Sequence, residues 1–493
     1  MKRYVLTIAA AFLTISGIFA QNVDDALRYS QIFYNGTARF MSMGGAFTAL
    51  GGDMSTFSQN PGGIGIFRSS EISITPQLFH IGTTANFNGI SKDYLYNFNL
   101  GQVGIVSNLI SGSGTKGLIS LNVGYSFNKT SNNNTTIRIE GKSNTSSMAD
   151  SWADQSNGIL YNDLTGAAGI AYDAWVLDTI TGTGATQYGT VFNNYGDNIT
   201  SDYGQTIRRL ITNSGYTGEH TFTVGGNISN RIFFGAALGI SRLHYTGHYE
   251  HREIADYNLP SEFADFTYTE HFEDTGTGIA LKIGTIIKPT DNLRIGLAFH
   301  SPTYFRINEY YYDNISSNFT DNSHYEFKND PSRYQYALTT PFRALAGVAY
   351  QFGKIGLIDV DYEFVDYSTA RFSETGDNYD YSEKNLEIKN TLKPTSNIRI
   401  GGEIRMNKLY LRGGYGYYGK VFSTGEINDN MAYNAFSAGI GFREQNINID
   451  FGFMNLGNKQ KYVLYNTASE SAIANLTNSR NMFAVTVGYK FGY

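Results

Sequence analysis

No cysteine occurs anywhere in the 493 residues. That absence excludes disulfide staples, thiolate metal sites and a lipid-anchored amino terminus. Only 8 prolines and 2 tryptophans are present, and charged residues make up 16% of the chain. A formal net charge of -6 leaves no basic footprint, so no nucleic-acid partner is expected. Past residue 20 no apolar run reaches the roughly eighteen residues that a membrane-crossing helix requires.

What the chain has instead is tyrosine (37), phenylalanine (33) and glycine (54). An average chain is about 7% glycine, so the glycine content is high. Such an excess, with alternating polarity, suits a membrane β-barrel with aromatic girdles or a secreted β-sandwich. The first residues point to export. Lys2 and Arg3 precede an apolar run from Val5 to Phe19, and Ala20 offers a small residue before Gln21. Residues 1–20 thus form an expected signal peptide, although Ile18 leaves the cleavage position open.

Period-two alternation is clearest in Met482 to Tyr493. Phe483, Val485, Val487, Tyr489, Phe491 and Tyr493 share one face, with small or polar residues between them. Tyr489, Phe491 and Tyr493 make a candidate carboxy-terminal assembly signal for insertion by the barrel assembly machinery. The same alternation recurs in 119–127, 293–300, 398–406 and 447–453, where the second face is small, polar or charged. A sandwich buries its apolar face, whereas a membrane barrel turns that face to lipid.

Connection lengths separate the two. Strands are expected at 70–81, 94–110, 117–130, 217–229, 231–247, 275–288, 292–308, 334–351, 355–369, 393–406, 408–419, 433–443, 446–456 and 481–493. Tight turns alternate with long loops, among them 131–216, 248–274, 309–333, 370–392 and 457–480. Short turns at one rim and long loops at the other are the habit of outer-membrane barrels. The fold class is therefore all-β: a 14-stranded antiparallel transmembrane β-barrel over 70–493, monomeric and surrounded by outer-membrane lipid. Its even strand number puts both ends on the short-turn, periplasmic side.

The segment 21–69 lacks period two and is crowded with glycine. It is expected to be a compact plug, or hatch, inside the lumen. "TARFMSMGGAFTALGGDMSTFSQNPGGIG", Thr37 to Gly65, resembles the amino-terminal hatch of the FadL/TodX outer-membrane transporters of long-chain fatty acids and aromatic hydrocarbons. The matching positions are Ala38-Arg39, Met43-Gly44-Gly45-Ala46, Asp53 and Asn60-Pro61-Gly62. Gly62 departs from the alanine usual there, a change expected to loosen the turn. The resemblance implies capture of a hydrophobic small molecule by the outer loops, a pocket above the hatch, and sideways exit where the third strand kinks. Gly124 is the candidate wall kink, since an interior glycine tolerates distortion; equally, it makes room for the hatch.

Leu164, Ile170, Trp175 and Leu177 in loop 131–216 are spaced for a short helix, which serves as a capture surface, a packed cap, or both. Other signals weigh less. Gly414 to Gly419 spells G-x-G-x-x-G inside a strand, without the helix that dinucleotide binding needs. His244, His248 and His251 fit rim decoration better than a metal or haem site, and Asp359, Asp361, Glu363, Arg399, Glu403 and Arg405 fit lumen ion pairs better than acid–base chemistry. No cofactor, metal or enzymatic activity is expected. A binding barrel for haem or for a partner protein, such as an export-machinery component, is the competing reading.

Overall fold

The computed structural model describes residues 22–491 apart from 113–114, 197–200, 258, 260 and 377. The expected signal peptide and Tyr493 lie outside the described residues. Fourteen antiparallel strands close into one barrel. Closure is made by the first strand, Ser70–Asn86, which pairs with both the second, Ile90–Ser111, and the fourteenth, Ser471–Phe491. A sheet that closes on itself leaves no edge unpaired, which is what a bilayer demands.

Alternation in the sequence becomes the two faces of the wall. Ile279, Leu281 and Ile283 point outward and are exposed, as are Phe436, Phe451 and Phe483. Their neighbours Ala280, Lys282, Asp450 and Ala484 are buried inside. An apolar outer face around a polar inner one belongs in lipid. Tyr489 and Phe491 stack near the short-turn rim, with ring planes 12° apart.

The tight turns stand where the sequence places them, and their residues explain them. Ser229 and Asn230 both take positive φ (54° and 55°), the two-residue geometry whose twist matches paired strands. Asn407 (60°) and Gln445 (48°) serve the next turns of that rim.

The opposite rim differs from expectation. Much of the expected long loops is ladder. The fifth strand runs Ile232–Ile254 and the sixth Phe263–Ile287, so 248–274 is mostly strand. Likewise Ile447–Asn466 and Ser471–Phe491 leave only 467–470 as a turn. Above lipid height nothing selects for an apolar outer face, yet the backbone still gains from pairing. Alternation fades there while the ladder continues.

Among the described residues, α-helices occur in two of the connections. Residues 143–205 carry helices Met148–Ser156 and Gly166–Asp173, and 375–393 carry helix Ser382–Thr391.

One part of the wall is incomplete. The third strand, Leu118–Asn132 continued by Thr135–Lys142, pairs with the second only from Gln102↔Asn128 to Ser111↔Ser120. Above that height, 90–101 has ladder partners only on the first strand. On its other side the third strand pairs with the fourth, Thr206–Ile228, but the ladder skips Thr130. The Thr130 carbonyl instead accepts from Phe33 N at 3.0 Å. The ladder between the second and third strands is thus interrupted, and above the interruption side chains bridge them, Thr136 Oγ1 donating to Asp93 at 2.6 Å and Asn88 Nδ2 to the Lys142 carbonyl at 2.9 Å.

Candidate functional site

The amino-terminal segment fills the lumen. Asn22 starts helix Val23–Ser30 through a capping box with Asp25, and Thr37 starts helix Ala38–Ser42. Asp53 ties the next two pieces together. Its carboxylate accepts from Ser55 N at 2.9 Å and from the Thr37 hydroxyl at 2.7 Å. Met43, Ala46 and Phe47 are fully buried, and Gly44 and Gly45 turn the chain with φ of 64° and 73°.

Asn60 Oδ1 accepts from Gly62 N at 3.0 Å, while its Nδ2 donates to Thr48 O at 2.7 Å and Thr285 O at 3.2 Å. Pro61 opens a 3₁₀ turn, Pro61–Ile66. A Cβ on Gly62 would lie 2.9 Å from the Gly284 and Thr285 backbone of the wall. The missing side chain thus permits close docking; the expected loosening of the turn is not what the geometry holds.

The inward charges of the wall grip this segment. Asp361 accepts from Phe47 N at 2.9 Å and Thr48 N at 3.0 Å, and Glu403 accepts from Arg39 at 3.0 Å. Arg399 pairs with Glu363 at 2.6 Å, and Arg412 pairs with Glu403 at 2.7 Å and Asp450 at 2.6 Å. Lys282 reaches Ser58 O at 2.9 Å and Glu219 at 2.5 Å. Arg343 holds Glu363 and donates to Ser30 O. Buried charges must be paired and hydrogen-bonded to be tolerated, and these are. Arg405 stands apart from them, exposed at the short-turn rim.

Gly124 keeps its place in both neighbouring ladders, opposite Val106 and Thr223. A Cβ there would come 2.6 Å from the ring of Phe57, so its role is to make room for the lumen segment. A bulge in the ladder to the fourth strand lies six residues on, at Thr130. Sequence reasoning missed that position because a bulge at a threonine leaves no compositional mark.

Between the lumen segment and the outer loops lies a cavity of about 380 Å³. Helix Val23–Ser30 forms its floor through Leu27 and Arg28. Ile137, Ile211, Tyr245 and Leu456 contribute apolar wall, and Ser131 to Asn133 bring the third strand to its side. Arg28 lies 4.3 Å from the Tyr245 ring and pairs with Asp25. None of these residues carries a motif, and only the fold gathers them.

Loop 143–205 roofs this end. Ile170 and Leu177 are buried beside Trp152, Phe192 and Phe266, and Leu164 packs at the edge of the same cluster. Trp175 alone of the four candidates is well exposed (48%), its ring 6.3 Å from Tyr325. Only Ile170 of the four lies on the helix, Gly166–Asp173; Leu164 precedes it, Trp175 turns the chain after it with φ of 60°, and Leu177 opens a short strand, so the segment packs as a cap with Trp175 outside. Asp150 caps helix Met148–Ser156 and accepts from the Tyr203 hydroxyl at 2.9 Å; burial pushes its carboxyl up to about 6. The histidines are split: His244 and His248 face outward, whereas His251 is buried against Glu253 at 2.9 Å. Among the described residues no His, Cys, Asp and Glu grouping could hold a metal ion.

No protein-family model and no curated protein matches the sequence. Solved structures do. The P. putida toluene transporter TodX is 11% identical, with a TM-score of 0.53 over 94% of this chain and 100% of that one. A Pseudomonas aeruginosa FadL homologue is also 11% identical, with a TM-score of 0.56 over 94% of this chain and 100% of that one. The chain shares their fold. At this identity the likeness concerns architecture.

Proposed function

We propose that the chain is an outer-membrane channel for uptake of hydrophobic small molecules, such as long-chain fatty acids or hydrocarbons. The lumen segment acts as a hatch that closes the straight path to the periplasm. A molecule caught at the outer loops enters the cavity above the hatch and leaves sideways between the second and third strands. One observation carries this reading: the 380 Å³ cavity is bordered by Ser131 to Asn133, above the end of the ladder between the second and third strands. An apolar chain gains by passing straight from such a cavity into lipid, because it never crosses water. The names of TodX and of the FadL homologue accord with it.

The test fills the break. Ser131→Trp should leave the barrel assembled, since Ser131 lies above the part of the third strand that pairs with the second, and its pairing with Thr217 of the fourth is made by the backbone. Uptake of labelled palmitate and of toluene into proteoliposomes should fall at least fivefold. Uptake equal to the parent in a folded variant would remove the sideways route. A parent that moves neither molecule would remove the channel reading.

A further inference from the structure

On the outward face of three neighbouring strands, side-chain chemistry changes in a fixed order with height. These are the fifth strand, the sixth, and the seventh, Leu293–His300 continued by Tyr304–Phe319. Their register sets the rows. Leu238 stands opposite Leu281, and above them Ile240, Ile279 and Tyr304 form the next row. Leu238, Leu281, Ile279 and Tyr304 are exposed, as befits the upper part of a lipid-facing belt.

Two residues higher, about 7 Å along the strands, the row is Arg242, Thr277 and Arg306. Both arginines are exposed, and Arg242 Nη1 donates to Thr277 Oγ1 at 3.0 Å. His244, Thr275 and Asn308 follow in the next row. None of these residues is acidic. The first carboxylate on the way up is Glu273, in a row with Thr246 and Tyr310. Beyond it the rings gather. Arg333 lies 5.4 Å from the Tyr310 ring, and His271 stacks on Tyr312 with ring centroids 4.8 Å apart. His248 stands beside that stack, its ring 6.5 Å from His271.

A guanidinium at the edge of an apolar belt keeps its stem on lipid and its charge at the height of the head groups. Its planar fork matches phosphate, and here two such forks stand two strands, roughly 10 Å, apart. Flat tyrosine rings above them suit the apolar face of a sugar, with their hydroxyls left in water. We propose that this face is a binding site for a phosphorylated glycolipid of the surrounding leaflet. Its acyl chains lie on Ile279 and Leu281, its phosphates on Arg242 and Arg306, and its sugars against Tyr310 and Tyr312. The order of the three chemistries carries the assignment. A phosphoglycerolipid would use the arginines and leave the rings bare, and a free phosphate would have no use for the belt. The site goes beyond uptake, since it lies on the outside of the barrel, away from the cavity.

Native mass spectrometry of the full-length protein in a neutral detergent tests this. Three lipids are titrated: diphosphoryl lipid A, its dephosphorylated form, and phosphatidylglycerol. The parent should bind diphosphoryl lipid A about tenfold or more tightly than either of the others. Arg242→Gln combined with Arg306→Gln should bring that binding down to the level of the dephosphorylated form. Lys459→Gln, which removes an exposed charge from strand Ile447–Asn466, should change nothing. Compact migration in SDS before boiling shows that each variant has assembled. Equal binding of the two lipid A forms by the parent would overturn the site, and this result needs no variant. Equal binding of phosphatidylglycerol would overturn it too. An assembled arginine-pair variant that keeps the preference, or a Lys459→Gln that loses as much, would do the same. None of these outcomes bears on transport, so the channel reading stands or falls separately.

Discussion

Asn60 is a small residue with three tasks. Its carbonyl end caps the turn at Gly62, and its amide end ties Thr48 of the same segment to Thr285 of the wall. Losing such a cap costs about 1 kcal/mol. Adding a Cβ at Gly62, against backbone that cannot swing aside, costs about 1–3 kcal/mol more. Replacing Asn60-Pro61-Gly62 by three alanines should therefore loosen the lumen segment by a few kcal/mol. The wall would stay intact, because its ladder is independent of that turn. Single-channel recording in planar bilayers checks this. The variant should pass small ions where the parent is nearly silent, and it should still migrate as a compact barrel in SDS before boiling. Silent recordings from the folded variant would mean that the turn does not hold the plug.

Whole elements were legible in the sequence wherever lipid imposes a rule. Strands such as 293–300 and 447–453 reveal themselves because every second residue must be apolar there. The upper halves did not: in "HYEHREI", residues 248–254, both faces are polar, and pairing with Thr206 to Thr212 on one side and Asp265 to His271 on the other makes it a strand. The lumen segment was legible for a different reason, since its glycines and its Asn-Pro mark tight turns. The cavity was not, because it is lined by strands far apart in the chain, and the end of the second–third ladder at Asn128 leaves no compositional mark. Within the loops, Asp150 supplies an element-scale prediction. Its folded carboxyl holds a proton up to about pH 6, whereas the unfolded value is 3.8. The folded cap thus binds more protons between those values, so it gains stability as pH falls through 6 towards 4. A shift of this size corresponds to roughly 3 kcal/mol. Hydrogen exchange in 148–156, corrected for its intrinsic pH dependence, should be slower at pH 5 than at pH 7.5. Asp150→Asn should remove the difference, and an unchanged difference in that variant would assign it to another group.

At the scale of the molecule, three features belong to one design. An apolar outer face suits the barrel to lipid, a gripped segment fills its lumen, and the ladder between the second and third strands stops short. Charge on the wall helps to hold the segment, as the Asp361 and Glu403 contacts illustrate. The central claim is that a hydrophobic molecule travels from the cavity through the break between the second and third strands. Photo-crosslinking with a long-chain fatty acid that bears a diazirine near its tail tests this most directly, with the labelled peptides mapped by mass spectrometry. The account predicts label on 129–137, on 94–101 and on the cavity side of 476–482, all lost in the presence of excess palmitate. Label confined to the outer loops, or spread evenly over the lipid-facing strands, would contradict it.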